Sequence, residues 1–171
     1  IVVGVDPAAS AGAESSHTGI VACGLARDGH GYVLCDRSVR ASPAEWARRT
    51  VELWEELRAD RIIAEANQGG DMVRYTIHTV DPKAPVTLIR ASRGKYTRAE
   101  PVAALYEQGR IHHVGLLPEL EDELTTFVPG QADSPDRLDA AVHALTHLML
   151  EGRARLAAPA LSMRKQSTWK T

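Results

Sequence analysis

Apolar residues run together rather than alternate at two places in this chain, and both runs stop at an acid. Ile1, Val2, Val3 and Val5 lead into Asp6, and Ile62, Ile63 and Ala64 lead into Glu65. Short β-branched runs of this kind predict strands covered on both faces. Residues 18–26 and 31–39 carry two further β-like runs, and Asp28-Gly29 between them supplies the turn of a hairpin. "APVTLIRA" predicts a fifth strand, and "IHHV" a short edge strand in which His112 and His113 cap the edge.

Helical spacing fills the intervals. In "SPAEWARRTVELWEELR", Ser42 is an N-cap, Pro43 takes the first helical position and Glu45 closes a capping box. Trp46, Leu53, Val51, Trp54 and Leu57 lie on or near its buried side. "GGDMVRYTIHTV" is a helix whose start is marked by two glycines, and "TRAEPVAALYEQG" is one that tolerates Pro101 near its first turn and ends at Gly109. "LPELEDELTTF" is amphipathic, and "SPDRLDAAVHALTHLML" is a long helix capped by Ser134 with Pro135 just inside. In this last helix Leu138, Ala141, Val142, Leu145, Leu148 and Met149 recur with the period of an amphipathic helix. Hairpin strands followed by alternating helices and strands predict an α/β fold, a mixed sheet of about five strands with helices on both faces.

Composition narrows the class without naming a function. A chain of 171 residues, 44% hydrophobic and 25% charged, is long enough for one soluble domain with a real core. No stretch approaches the roughly 18 apolar residues of a membrane span, and no signal peptide is visible. The chain starts directly inside a strand-like run without Met, which points to a domain taken from something larger. Cys23 and Cys35 fit neither a disulfide framework nor a zinc spacing, so reduced thiols in a cytoplasmic protein are expected. The net charge of −2 leaves any nucleic-acid binding to local patches. One patch is "IRASRGKYTRAE", with Arg90, Arg93, Lys95 and Arg98. Another follows the predicted domain of residues 1–151: the segment 152–171 carries Arg153, Arg155, Arg164, Lys165 and Lys170 and no acid. It reads as a disordered tail, either a solvated terminus or a basic arm facing nucleic acid.

The candidate chemistry lies in three carboxylates. Asp6 and Glu65 end strands, where open α/β sheets gather ligands, and a lone carboxylate is costly to bury there without cations or hydrogen bonds. Alone, Asp6 also fits a turn acceptor for the Ala8–Ala11 backbone. After Glu65 come Asn67, Gln68, Gly69 and Gly70, whose paired glycines suit close approach to phosphate and equally suit a structural turn. Asp139 follows a core leucine on the last helix, beside the small Ala140 and Ala141. Asp136, Asp139 and His143 stand at i, i+3 and i+7 and share a face. Asp136 alone fits a dipole-stabilised helix start, and His143 fits a helix-face residue better than a ligand. Two strand-end acids and one acid on a late helix are what a two-metal phosphodiesterase needs, with oxygen ligands favouring Mg²⁺ or Mn²⁺.

The order of strand-end Asp, hairpin, strand-end Glu and Asp on a last helix resembles the RNase H-like nuclease fold. "VVGVDPAAS", "IIAEANQGGDMV", "RGKYTRAEPVAALYEQGRIHH" and "SPDRLDAAVHAL" span most of residues 1–150 and look like the C-terminal nuclease domain of large terminase subunits from tailed bacteriophages and gene transfer agents. The resemblance implies Asp6, Glu65 and Asp139 as catalytic metal ligands, Asp136 as an auxiliary ligand, and two Mg²⁺ or Mn²⁺ ions bridged by Asp6. It implies an endonuclease that cuts concatemeric double-stranded DNA for packaging. Its implied partners are an N-terminal packaging ATPase, a portal protein and a small terminase subunit. The chain holds no G-x-x-x-x-G-K-[ST] sequence, so the motor half is expected elsewhere.

On that reading Arg90, Arg93, Lys95 and Arg98 position DNA phosphates, although a solvated charged loop also accounts for them. Tyr96 is the one ring beside them, too few for base stacking. A RuvC-like Holliday-junction resolvase of the same superfold is an alternative, as is a non-catalytic DNA-docking module. An actin- or sugar-kinase-like ATPase half would need further Gly-rich phosphate loops.

Overall fold

The computed structural model describes residues 1–7, 17–66, 70–89, 95–128 and 135–151, with the backbone alone at Gly70, Lys95 and Tyr96. The anticipated Ala8–Ala11 turn, the segment 67–69, Arg90, Arg93, the Lys95 side chain, Ser134 and the tail 152–171 lie outside the described residues.

Along the chain the elements are β1 (Val2–Asp6), β2 (His17–Leu25), β3 (Gly31–Asp36), β4 (Val39–Arg40), α1 (Pro43–Glu56), β5 (Arg61–Glu65), α2 (Gly70–Val80), β6 (Val86–Ile89), α3 (Lys95–Glu107), β7 (Ile111–His113), α4 (Pro118–Thr126) and α5 (Asp136–Leu145). The last continues as a π-helical stretch, Thr146–Glu151. The strands form one sheet in the order β6-β5-β1-β2-β3-β7, with β4 pairing β2. β1, β5 and β6 run parallel, β2 is antiparallel to β1 and β3, and β7 is parallel to β3.

Among the described residues this mixed sheet has seven strands, the two short ones β4 and β7 included. The run 31–39 breaks because the Asp36 carboxylate accepts both the N–H and the hydroxyl of Ser38, which turns the chain. Val39–Arg40 then pairs with His17 and Thr18 as a separate strand. Residues 111–113 join β3 at the sheet edge, as the sequence predicts.

Strand side chains alternate between two cores. Val3, Val5, Ile20, Ala22, Ile62 and Ala64 pack with Trp46 and Leu53 of α1 and Ile77 of α2. Val2, Val21, Cys23, Val33 and Ile63 pack on the other face with residues of α3, α4 and α5. Cys23 and Cys35 are free thiols.

Two local expectations need correction, and a third falls outside the described residues. The Ser42 hydroxyl does cap α1, accepting the Glu45 N–H at 3.4 Å, but the box is replaced: the Glu45 carboxylate accepts from Arg48 Nη1 at 2.6 Å and lies 3.7 Å from Arg49 Nε. Helix α3 begins at Lys95, so Pro101 sits in its second turn, where the Thr97 carbonyl loses its usual i+4 donor. The Ser134 cap read for helix α5 lies outside the described residues, and the helix is flanked by Pro135. First N–H groups of this helix are met from α4: Glu123 Oε2 accepts from Arg137 N at 3.0 Å and Leu138 N at 3.1 Å. An acid there also suits the helix dipole.

Nor is α5 amphipathic in its surroundings. Every residue but Arg137 is buried, because the sheet covers one side and α3 and α4 the other. The contact with the sheet is backbone to backbone. A Cβ on Gly4 would fall 2.0 Å from the Ala140 carbonyl oxygen, and one on Gly19 would fall 1.9 Å from that of Asp136. Gly24, by contrast, would meet only Ile1 and Leu34 side chains at 3.6 Å and beyond. Gly4→Ala and Gly19→Ala are each expected to destabilise the fold by about 3 kcal/mol or more, through overpacking against an immovable backbone. Gly24→Ala should shift the urea midpoint little, and equal midpoints for all three variants would contradict this account of the packing.

Candidate metal centre

The sheet register brings the first two acids together. In the parallel pair β1–β5, Val5 lies opposite Ala64, so Asp6 and Glu65 end neighbouring strands at the same level. Residues two apart share a face of a strand. Gly4 faces α5, and Asp6 follows it; Ile63 lies in the core on the α5 side, and Glu65 follows it. From above, α5 presents Asp139 and His143, one turn apart. One donor atom each from Asp6, Glu65 and His143 lie within 4.8 Å of one another. All this is secluded: Asp6 is 9% exposed, His143 3% and Asp139 0%.

Two donors reach into the cluster. Glu65 Oε2 accepts from Arg98 Nη1 at 2.8 Å and lies 3.0 Å from His143 Nε2. Arg98 Nη2 is 3.7 Å from Asp139 Oδ1. Burial acts most strongly on Glu65 and opposes its ionisation, but the hydrogen bonds from His143 and Arg98, with the charges of both, together outweigh it and hold the carboxyl at about 2. An ionised carboxylate only accepts, so His143 carries its proton on Nε2 in this state and donates it to Glu65.

The structure thus places Asp6 and Glu65 side by side, as read from the strand ends, and sets Asp139 against Arg98. Asp136 is buried one turn back, with Oδ2 4.0 Å from His17 Nδ1. Of the four basic residues expected to face DNA, Arg98 is described in full, and its side chain points into the acid cluster with 14% exposure. His143, read from sequence as a helix-face residue, is instead part of the cluster; its i+4 spacing from Asp139 was the available signal. His112 stacks on His30 at the sheet edge, and His113 is held between Tyr106 and Glu121, away from these acids.

The donor set fits a divalent cation. Carboxylate oxygens suit Mg²⁺ or Mn²⁺, and an imidazole nitrogen widens the choice towards other first-row ions. Ligation through His143 Nε2 requires that nitrogen to give up its proton. Buried acids this close repel unless positive charge lies among them, which Arg98 supplies in part.

A mixed sheet of this order, flanked by helices and carrying acids at neighbouring strand ends, defines an RNase H-like α/β domain of the nuclease class. The chain belongs to the terminase RNaseH-like domain family, which matches residues 3–148. Its fold is similar to the large terminase nuclease from thermophilic phage G20c with bound zinc: TM-score 0.63, 17% identity, covering 84% of this chain and 81% of that one. Crystal structures of the same phage nuclease carry cobalt and magnesium. The yeast mitochondrial Holliday junction resolvase Ydc2 is similar at TM-score 0.57 and 13% identity, covering 91% and 82% of the two chains. Thermus thermophilus RuvC is similar at TM-score 0.52 and 17% identity, covering 90% and 96%. No curated protein sequence matches the chain. Among the described residues, no helix is long and apolar enough to cross a membrane.

The depressed Glu65 pKa links the cluster to acid stability. Its folded value lies below the ordinary 4.5, so the ionised form stabilises the fold above that pH, and this contribution is lost as pH falls from about 4.5 towards 2. In metal-free buffer, Glu65→Gln should flatten that part of the stability curve. Unfolding midpoints that decline between pH 5 and 2 as steeply in the variant as in the parent protein would show that Glu65 is not the linked group.

Proposed function

We propose that this chain is the DNA-cutting domain of a large terminase, an endonuclease that hydrolyses double-stranded DNA with two divalent cations, Mg²⁺ or Mn²⁺. The observation that carries the reading is the convergence of Asp6 and Glu65, from neighbouring parallel strand ends, with Asp139 and His143 of α5 in a member of the terminase RNaseH-like domain family. Asp6, Glu65 and Asp139 act as catalytic metal ligands, His143 adds a nitrogen donor, and Asp136 stands one turn away as an auxiliary ligand.

Divalent ions held by these residues would supply an activated water and offset the charge that builds on the phosphate. The protein's own part is to keep Glu65 ionised, to hold the acids in a secluded site where their field is strong, and to fix α5 against the strand ends. Arg90, Arg93, Lys95 and Arg98 hold DNA phosphates beside the site. Residues 1–151 form the nuclease unit, and the basic segment 152–171 is an appended tail. The domain works in the cytoplasm of a bacterial host as part of a longer terminase with a packaging ATPase, alongside a portal protein and a small terminase subunit.

The likeness to Ydc2 and RuvC favours one further reading, cleavage of four-way junctions. A single assay separates the two. Supercoiled plasmid and a four-way junction are incubated with the protein and Mn²⁺ or Mg²⁺, beside Asp6→Asn, Glu65→Gln and Asp139→Asn. Metal-dependent cutting of plain duplex is expected, reduced at least about a hundredfold by each substitution. Junction-only cutting would make the chain a resolvase. DNA binding without any cutting would make it a docking module.

A further inference from the structure

We propose that Arg98 is a resident cation that occupies the place of one metal ion, so that full metal loading requires its guanidinium to withdraw. The inference rests on the metal-site reading above and concerns how that site is kept in check. Arg98 projects from the first turn of α3, an element separate from the strands and helix that carry the acids. Its guanidinium bridges two of them, with Nη1 2.8 Å from Glu65 Oε2 and Nη2 3.7 Å from Asp139 Oδ1. The side chain is 14% exposed, a degree of burial that a solvated loop arginine does not show.

Glu65, whose Oε2 Arg98 holds, belongs to the donor triad. Glu65 is shared with Asp6 and His143, so a cation that takes Glu65 competes directly with the guanidinium. Arginine stays charged at any working pH, and a divalent ion beside it is repelled without the relief that a lysine or histidine could give by losing a proton. The guanidinium is also incompletely satisfied: its Nε–H is buried with no acceptor among the described residues. A buried donor left unmade favours a move to a better partner. The phosphate of bound DNA is such a partner, since a guanidinium meets phosphate through paired hydrogen bonds. DNA arriving at the site therefore draws Arg98 off Glu65 and Asp139, and metal loading and DNA binding strengthen each other reciprocally.

The test reads metal binding and stability rather than cutting. Mn²⁺ is titrated by calorimetry into the whole chain and into Arg98→Gln, Arg98→Met and Arg98→Lys, with and without a duplex bearing uncleavable phosphorothioate linkages. Thermal unfolding is followed in EDTA and in excess Mn²⁺. The Gln and Met variants are expected to bind Mn²⁺ about tenfold more tightly without DNA, the equivalent of one charge-assisted hydrogen bond no longer in competition. They should melt lower in EDTA, recover in Mn²⁺, and lose most of the gain in Mn²⁺ affinity that DNA confers on the parent chain. Arg98→Lys, which keeps the charge without the fork, should fall between. Should Arg98→Met fail to fold, Arg98→Gln and Arg98→Lys carry the comparison. Mn²⁺ affinity unchanged or weaker in the folded variants, with the parent chain binding Mn²⁺, overturns the inference and leaves the metal site standing. Absence of Mn²⁺ binding in every chain, the parent included, overturns both.

Discussion

Helix α5 rests on β1 and β2 at backbone contact, with the carbonyl oxygens of Ala140 and Asp136 standing where Gly4 and Gly19 would otherwise carry a Cβ. The aspartate side chain is short, so acids from a strand and from a helix meet around one small cation only if the two backbones nearly touch. Asp6 lies two residues from Gly4 on the same strand face, and Asp139 immediately precedes Ala140. The approach that closes the core is therefore the one that sets the spacing of the site. Ala140 and Ala144 on the helix side serve the same end, because larger residues there would lift α5 away from the strands.

Such closeness creates an electrostatic burden. Two like charges about 4 Å apart repel by about 4 kcal/mol at an effective dielectric constant near 20, and Asp6 and Glu65 each bring a carboxylate oxygen within 4.8 Å of the other in a secluded site. Arg98 from α3 and His143 from α5 answer part of that repulsion, and the low pKa of Glu65 shows their donors outweighing the cost of burial at that carboxylate. The cluster is thus balanced by side chains from separate elements, which ties α3, α5 and two strand ends into one unit.

A second network holds α5 in rotation. Arg137, the one residue of α5 that is not buried, donates through Nε to Asp36 Oδ2 of β3 at 2.9 Å and through Nη1 to Glu123 Oε1 of α4 at 3.1 Å. The other oxygen of Glu123 caps the helix start. A helix flanked by Pro135, with no side-chain cap among the described residues, is in this way oriented by its neighbours at the turn that carries Asp136 and Asp139.

Local order alone determined a good deal of this protein. Unbroken β-branched runs marked β1 and β5 and placed Asp6 and Glu65 at their ends. Ser42-Pro43 marked the start of α1, Asp28-Gly29 the hairpin, and Asp139 stood out beside its alanines. These features depend on neighbours in sequence, through φ/ψ preference, capping and the pleat. What decided the rest was contact between residues far apart in the chain. The Glu123 cap and the burial of α5 on all sides arise when elements pack, and no local pattern encodes them. The same holds for His143 and Arg98. A histidine at the border of a helical stripe and an arginine in a basic stretch read as surface residues until the fold carries them, across 78 and 33 positions of chain, onto the carboxylate of Glu65.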